Sequence, residues 1–261
     1  MKTPETRLCA HHLTGMSYRD VDLVEDLIGK KTFTEVMIMQ ILGREARPVD
    51  LRIVDAVLVT LMEHGMTPSA IATRLIYMSA PENLQGAVAS GLMAVGSQFV
   101  GTMENCSRLL DRIRQAVDEE AEALAIAREF RASRQALPGF GHHLHKPDDP
   151  RSIKLLALAE AEPELKGDSI KALRLLASAI DATYGRHITI NATGAVAALL
   201  SEIGVPTDLM RGFAVISRAA GLVSHVAEEQ QSPSGRYIWE TIDHAIPYVG
   251  AGKSRQDDGQ S

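Results

Sequence analysis

Pro138-Gly-Phe-Gly-His-His-Leu-His-Lys-Pro-Asp-Asp-Pro-Arg151 interrupts a chain that otherwise reads as helix on both sides. Gly139 and Gly141 bracket Phe140, so the backbone there can take positive φ and lie close against a ligand. His142 follows at once, and Arg151 comes nine residues later behind the fixed φ of Pro150. A pliable main chain, a titratable ring and a carboxylate-binding cation on one short loop make a candidate site. As a Gly-rich motif alone, the stretch reads equally well as a structural turn. His142, His143 and His145 lack a Cys or carboxylate partner at ligand spacing, and Asp148-Asp149 precede a rigid proline, so no metal is expected.

Upstream, Pro48-Val-Asp-Leu starts a helix with Asp50 in its first turn; its apolar positions Ile53, Val54, Val57, Leu58 and Leu61 lead to a stop at His64-Gly65. Thr67-Pro-Ser opens the next helix. Residues 84–99 are small and apolar and read as a buried helix, whereas 103–131 read as one amphipathic surface helix. Downstream come helices over 151–162, 168–184 and 190–203, and a long one from about Thr207 to Gln231, with Arg186–Asn191 as a short extended piece. The expectation is an all-α fold: a large helical domain over 21–250 with a smaller helical lobe within 103–205, hinged near the Gly-rich loop. Residues 1–20 read as a loose arm and 251–261 as a disordered tail.

The totals bound the function. With 27 Lys and Arg against 33 Asp and Glu, the net charge of −6 argues against nucleic acid, though a local arginine cluster can still hold an anion. Cys9 and Cys106 fit no metal or redox spacing, no leader precedes the first helix, and no apolar run reaches membrane-spanning length. A cytoplasmic protein with no membrane partner is expected.

A second constellation lies on Ser217-Arg-Ala-Ala-Gly-Leu-Val-Ser-His225-Val-Ala-Glu228-Glu229. Seven residues separate Arg218 from His225, nearly two turns, so both face one side, with Glu228 a turn further on. Such groups on an apolar helix serve either one another, as a partly buried ion-pair cluster, or a substrate. Glu229 is expected to face solvent. His64, at a helix-to-helix junction, is a weak signal by itself.

Taken together these pieces resemble the citrate synthase superfamily. Gly139-Phe-Gly-His142 followed by Asp149-Pro-Arg151, Ser217-Arg218-Ala-Ala-Gly221 followed by His225-Val-Ala-Glu228, and the stretch from His64 to Ser69 match its motifs in order. Asp26-Leu-Ile-Gly-Lys-Lys-Thr-Phe33 and Ser79-Ala-Pro-Glu-Asn-Leu-Gln-Gly86 are similar to the citryl-CoA lyase branch, which includes the C-terminal module of ATP-citrate lyase. Phe99 stands where synthases carry a catalytic histidine and is expected to be a pocket wall. Three features depart from the family: His143 replaces an arginine, Thr193 of Asn191-Ala-Thr193 replaces the aspartate that serves synthases as base, and the late Arg-Pro-Arg-x-x-Tyr element has no clean equivalent before Tyr248, with Arg236 a loose candidate.

The resemblance implies a citrate-synthase-like fold and a carbon–carbon lyase that splits citryl-CoA, or a close 3-hydroxy-3-carboxyacyl-CoA, into acetyl-CoA and a 2-oxoacid such as oxaloacetate. The alternatives are condensation in the other direction and a degraded CoA-binding relative. In the lyase reading, His142 accepts the hydroxyl proton and Glu228, if buried, delivers a proton to the enolate carbon. Arg151, Arg218, His64 and, loosely, Arg236 bind substrate carboxylates. Backbone groups of Gly139, Phe140 and Gly141 receive the CoA adenine. Coenzyme A arrives as part of the substrate, with no tightly bound cofactor. The implied partners are a second copy of the chain, as a homodimer or higher assembly, and a separate acyl-CoA synthetase or CoA-transferase.

Overall fold

The computed structural model describes residues 3–96, 102–142 and 144–250. Phe99, His143 and the tail 251–261 lie outside these. The chain opens with a small antiparallel sheet, β1 (Cys9–His12), β2 (Gly15–Tyr18) and β3 (Val21–Asp22), in which Cys9 faces Tyr18 and Ser17 faces Asp22. The expected loose arm therefore carries order from Cys9 onward. Its strands are too short and too exposed to show an apolar alternation.

Helices follow: α1 (Phe33–Leu42), α2 (Pro48–Leu61), α3 (Pro68–Ser79), α4 (Leu84–Met93), α5 (Thr102–Gln115), α6 (Glu119–Ser133), α7 (Pro150–Glu160), α8 (Asp168–Tyr184), α9 (Ala192–Glu202), α10 (Met210–Gln231) and α11 (Gly235–Ala245). The start signals are local. Thr32 and Glu35 form a capping box on α1, and Pro48, Pro68 and Pro150 occupy first helical positions. Asp149 and Asn191 cap α7 and α9 through Arg151 N–H and Gly194 N–H. Among the described residues no helix is long and apolar enough to cross a membrane.

Two compact units divide the chain: residues 1–62 with 96–217, and residues 63–95 with 218–261. The larger unit holds the apolar core. α9 is its axis, with Ala195, Val196, Ala197, Ala198, Leu199 and Leu200 all fully buried, packed by Leu110 of α5, Leu156 of α7, and Leu173 and Leu176 of α8. Each fully buried leucine stabilises the fold by roughly 1.5–3 kcal/mol. The expected smaller lobe, 103–205, falls entirely inside this larger unit, and the Gly-rich loop lies within it rather than at the division.

Two helix readings also change. Residues 103–131 form two helices, because Asp118 caps a new start whose first turn carries Glu119, Glu120 and Glu122. The first of the two is a core helix, burying Met103, Cys106, Leu109, Leu110 and Ile113. α4 is not buried throughout: only Ala87 and Gly91 are, one turn apart on a single stripe. Gly91 is required there, since a Cβ would come within 2.1 Å of Thr73 Oγ1 on α3.

Candidate active site

In the larger unit the Gly-rich loop is bolted down rather than open. Gly141 N–H donates to Thr189 C=O (2.8 Å) and Asn191 N–H to Gly139 C=O (3.0 Å), so Phe140 bridges antiparallel to Ile190. Asn191 Nδ2 also donates to Gly141 C=O at 3.1 Å, and Phe140 N–H to Leu137 C=O at 3.2 Å. Most main-chain groups expected to meet an adenine are thus spent on the fold. The glycines answer packing as well as turning: a Cβ on Gly139 (φ +83°) would meet Cys106 Sγ at 2.6 Å and Gly194 Cα at 2.9 Å. The extended reading of Arg186–Asn191 is realised at this bridge.

The bridge leads the chain into a tight polar cluster. Asp149 is fully buried, and its carboxylate accepts from Arg151 N–H and Nε (both 3.0 Å), Arg151 Nη2 (2.8 Å) and the Ala192 N–H that opens α9 (3.1 Å). Burial alone would raise its pKa, but the Arg151 hydrogen bonds and charge outweigh that and hold it below the ordinary carboxylate value. Arg151, 28% exposed, is thereby fixed as a preoriented fork with its outer edge available to an acid.

His142 stands beside it, Nε2 lying 3.2 Å from Arg151 Nη2. Its Nδ1 accepts from the backbone N–H groups of Leu144 and His145, both at 3.1 Å. Arg151 Nη2 can only donate, so its contact asks for a lone pair on Nε2 just as the two backbone N–H groups ask for one on Nδ1, and a neutral ring meets one of these demands at a time. The site thus sets an imidazole beside a carboxylate-binding guanidinium, with Nε2 the acceptor toward Arg151 in the tautomer that carries its proton on Nδ1. Outside the cluster, His187 bridges Asp181 (2.7 Å) and Asp148 (3.1 Å), tying the loop's far end to α8; Asp181, then Asp148, raises its pKa.

Donor atoms of His142, His145 and Asp149 lie within 4.8 Å of one another. Both Asp149 oxygens and His142 Nδ1 are already accepting N–H groups, and Arg151 supplies the positive charge there. The donor set therefore fits an anion better than a cation. Thr193 joins a hydroxyl chain instead of offering a base: its Oγ1 donates to Asn191 Oδ1 (2.7 Å) and sits 3.0 Å from Thr102 Oγ1.

The second unit centres on Arg74, which the sequence reading missed. It is 2% exposed on α3 and donates to His225 Nδ1 (2.9 Å), Glu229 (2.9 Å), Ser234 Oγ (3.1 Å) and, very closely, Glu228. Glu229, expected in solvent, is buried and also accepts from Ser234 N–H (2.8 Å) and Gly235 N–H (2.7 Å), clamping the turn into α11. Glu228, expected to be buried, has a side chain 66% exposed and is drawn to Arg74, so the desolvation that its proton-donor role required is missing. Arg218 is half-buried, its Nη1 3.5 Å from Thr67 Oγ1; burial lowers its pKa and the charge of Glu63 works the other way. His64 is exposed in the turn between α2 and α3. Arg236 is exposed on α11 and pairs with Glu240 one turn on.

Against known proteins, the family model "Citrate synthase, C-terminal domain" matches residues 6–239. The citrate synthase of Haloferax volcanii is 29% identical over 206 residues, 76% of this chain and 53% of that protein. The probable ATP-citrate synthase subunit 1 of Neurospora crassa is 19% identical over 212 residues, 75% of this chain and 31% of that protein. The chain thus spans about a third to a half of these curated relatives. Among solved structures, citryl-CoA lyase from Hydrogenobacter thermophilus superposes with a TM-score of 0.85 at 29% identity, covering 97% of both chains. ATP citrate lyase from Methanothrix soehngenii, solved with citrate and coenzyme A, gives 0.77 at 19% identity over 100% of this chain and 44% of that one, a likeness of fold. With its matched region taking in both the Asp149–Arg151 fork and the Arg74 cluster, the chain belongs to the citrate synthase family and has the fold of its lyase-type enzymes.

Proposed function

We propose that the chain cleaves citryl-CoA, or a close 3-hydroxy-3-carboxyacyl-CoA, into acetyl-CoA and a 2-oxoacid such as oxaloacetate, by a retro-Claisen reaction that the same groups serve in reverse. One observation carries this reading: His142 Nε2 and the Asp149-held Arg151 fork stand 3.2 Å apart, a proton-accepting ring beside a carboxylate-binding cation. A carbon bearing both a carboxylate and a hydroxyl offers such a pair an acid for the fork and a proton for the ring. In cleavage the tertiary hydroxyl passes its proton to His142 Nε2 as the carbon–carbon bond breaks, its carbon becomes the keto carbon of the 2-oxoacid, and the acetyl-CoA enolate left behind takes up a proton from water. In condensation the same oxygen gathers charge as the bond forms. In cleavage His142 takes that oxygen's proton and in condensation it returns one, while Arg151 holds the adjacent carboxylate. Arg218 and His64 are assigned to binding further acidic groups. Coenzyme A enters as part of the substrate, and a separate synthetase or transferase supplies the thioester.

A second copy of the chain is the proposed partner. Tyr237, Trp239, Ile242 and Ile246 of and after α11 stand 74, 57, 52 and 69% exposed, which a homodimer would cover. Light scattering of the purified chain tests this, and a monomer at working concentration refutes it.

One specific observation favours a second reading, a CoA-binding relative without turnover: the Thr102–Thr193–Asn191 hydroxyl chain occupies the place where the family's base is expected. A coupled assay decides, following 2-oxoacid release from citryl-, citramalyl- and malyl-CoA with malate dehydrogenase or lactate dehydrogenase and NADH. Arg151→Ala should raise KM about 10–100-fold through loss of a charged hydrogen bond. His142→Ala should lower kcat by about 10²–10⁴. No 2-oxoacid from any thioester, with thermal stabilisation by CoA retained, would leave the binding-only reading.

A further inference from the structure

Arg74 is the least explained group in the molecule, a permanently charged side chain buried in the smaller unit far in sequence from its partners. We propose that Arg74 and His225 are positioning residues that act through Glu63 to fix the turn presenting His64. Only its kinetic readout rests on the acyl-CoA activity proposed above.

The chemistry runs in one direction along the chain of contacts. A guanidinium can only donate, so the 2.9 Å contact from Arg74 Nε requires a lone pair on His225 Nδ1. The neutral ring then carries its proton on Nε2, which faces Glu63 Oε2 at 2.9 Å, drawn to the carboxylate though not aligned as a hydrogen bond. The other Glu63 oxygen accepts the backbone N–H groups of His64 (2.7 Å) and Gly65 (2.6 Å). Gly65 adopts φ +71°, and its carbonyl accepts Thr67 N–H at 2.7 Å, which closes the turn into α3. The turn is thus held from both ends: by its own hydrogen bonds and, through Glu63, by a ring whose tautomer Arg74 dictates. Glu229 and Ser234 lock the guanidinium so that Nε is aimed at His225. His225 is only 8% exposed, so its orientation is not free to vary.

The relay makes a prediction that simple packing does not. A glutamine at 225 can accept from Arg74 with its carbonyl and donate to Glu63 with its amide, whereas leucine of similar size can do neither. In the full chain, His225→Leu should speed amide exchange at His64 and Gly65 about tenfold, shift the His64 ring signals, and raise KM for citryl-CoA about tenfold with kcat within about twofold. His225→Gln should restore all three. Should His225→Leu fail to fold, Glu63→Ala, at the solvent end of the relay, carries the same expectation. Unchanged exchange at His64 and Gly65 in a folded variant overturns the proposal. So does faster exchange spread through the smaller unit in the leucine and glutamine variants alike, which marks a structural role. Faster exchange with unchanged KM refutes the link to substrate. A wild-type chain that turns over no acyl-CoA refutes the proposed activity, and the exchange result still decides the relay.

Discussion

In the larger unit, buried charge sits at helix starts and is neutralised within a few residues of sequence: Asp50 by Arg44 and Arg47, Asp149 by Arg151. A broad apolar core surrounds both, with α9 buried along its length. In the smaller unit, among the described residues, the buried apolar side chains are few (Ala70, Ala87, Leu222, Val226), and Arg74, His225 and Glu229 occupy much of the interior. Arg74 reaches partners 151 to 160 residues away. One unit is held mainly by non-directional burial, and the other by directed, charge-assisted hydrogen bonds. The second kind costs more to desolvate but fixes orientation, which a binding turn needs.

Removing Arg74 should break that contrast most sharply. Arg74→Met leaves Glu229 buried without its cation, and losing one partner of a buried pair costs about 3–5 kcal/mol. Amide exchange in α3 and α11 is the measurement. A loss below about 1 kcal/mol, the size of a surface pair, would show that the smaller unit does not depend on its charged interior.

A smaller effect is expected in the larger unit and can be read by pH. Burial alone would raise the pKa of Asp50, but hydrogen bonds from Arg44 and Arg47 outweigh it and bring the group down to about 2. An aspartate in the unfolded chain titrates near 3.9. Since the folded value is depressed, the contribution is fully present above about pH 4 and is lost as pH falls toward 2, some 2 kcal/mol in all. Chemical denaturation between pH 5 and 2 should show a steeper loss for wild type than for Asp50→Asn. Parallel curves would refute the assignment.

Much of the larger unit was legible because its helices are punctuated. Pro48 and Pro150 mark two starts, and the apolar runs of α9 and α10 are long enough to declare themselves. The break between α5 and α6 escaped because Ala116 and Val117 prolong the apolar pattern while the signal, Asp118 before three glutamates, lies just beyond. In the site, Asp-Pro-Arg spelled out the Asp149–Arg151 pair, but no sequence pattern tells that backbone N–H groups will take His142 Nδ1. Arg74 was illegible for another reason. It stands mid-helix among ordinary residues, and only its neighbours Ala70 and Thr73, both buried on α3, hint that its face turns inward. Glu228 and Glu229 exchanged their expected environments because adjacent helical residues differ by about 100° in direction, and spacing from His225 admits either.

The mildest expected effect concerns a cap made at a distance. α8 begins after Gly167, which has no side chain with which to cap it. Glu202, at the end of α9, supplies the acceptor instead: its carboxylate takes Gly167 N–H (3.0 Å), Ser169 N–H (2.6 Å) and Ile170 N–H (3.1 Å). These are orphan donors of a first helical turn, where a negative charge also meets the positive end of the helix dipole. Glu202→Ala should cost about 1 kcal/mol, as loss of a side-chain cap does elsewhere. Glu202→Gln keeps an acceptor and gives up only the charge, so its cost should fall to a few tenths of a kcal/mol and shrink with added salt. If the two variants are equally destabilised and insensitive to salt, the carboxylate acts through packing alone. The larger unit would then owe even this junction to burial, and its contrast with the charge-built smaller unit would widen.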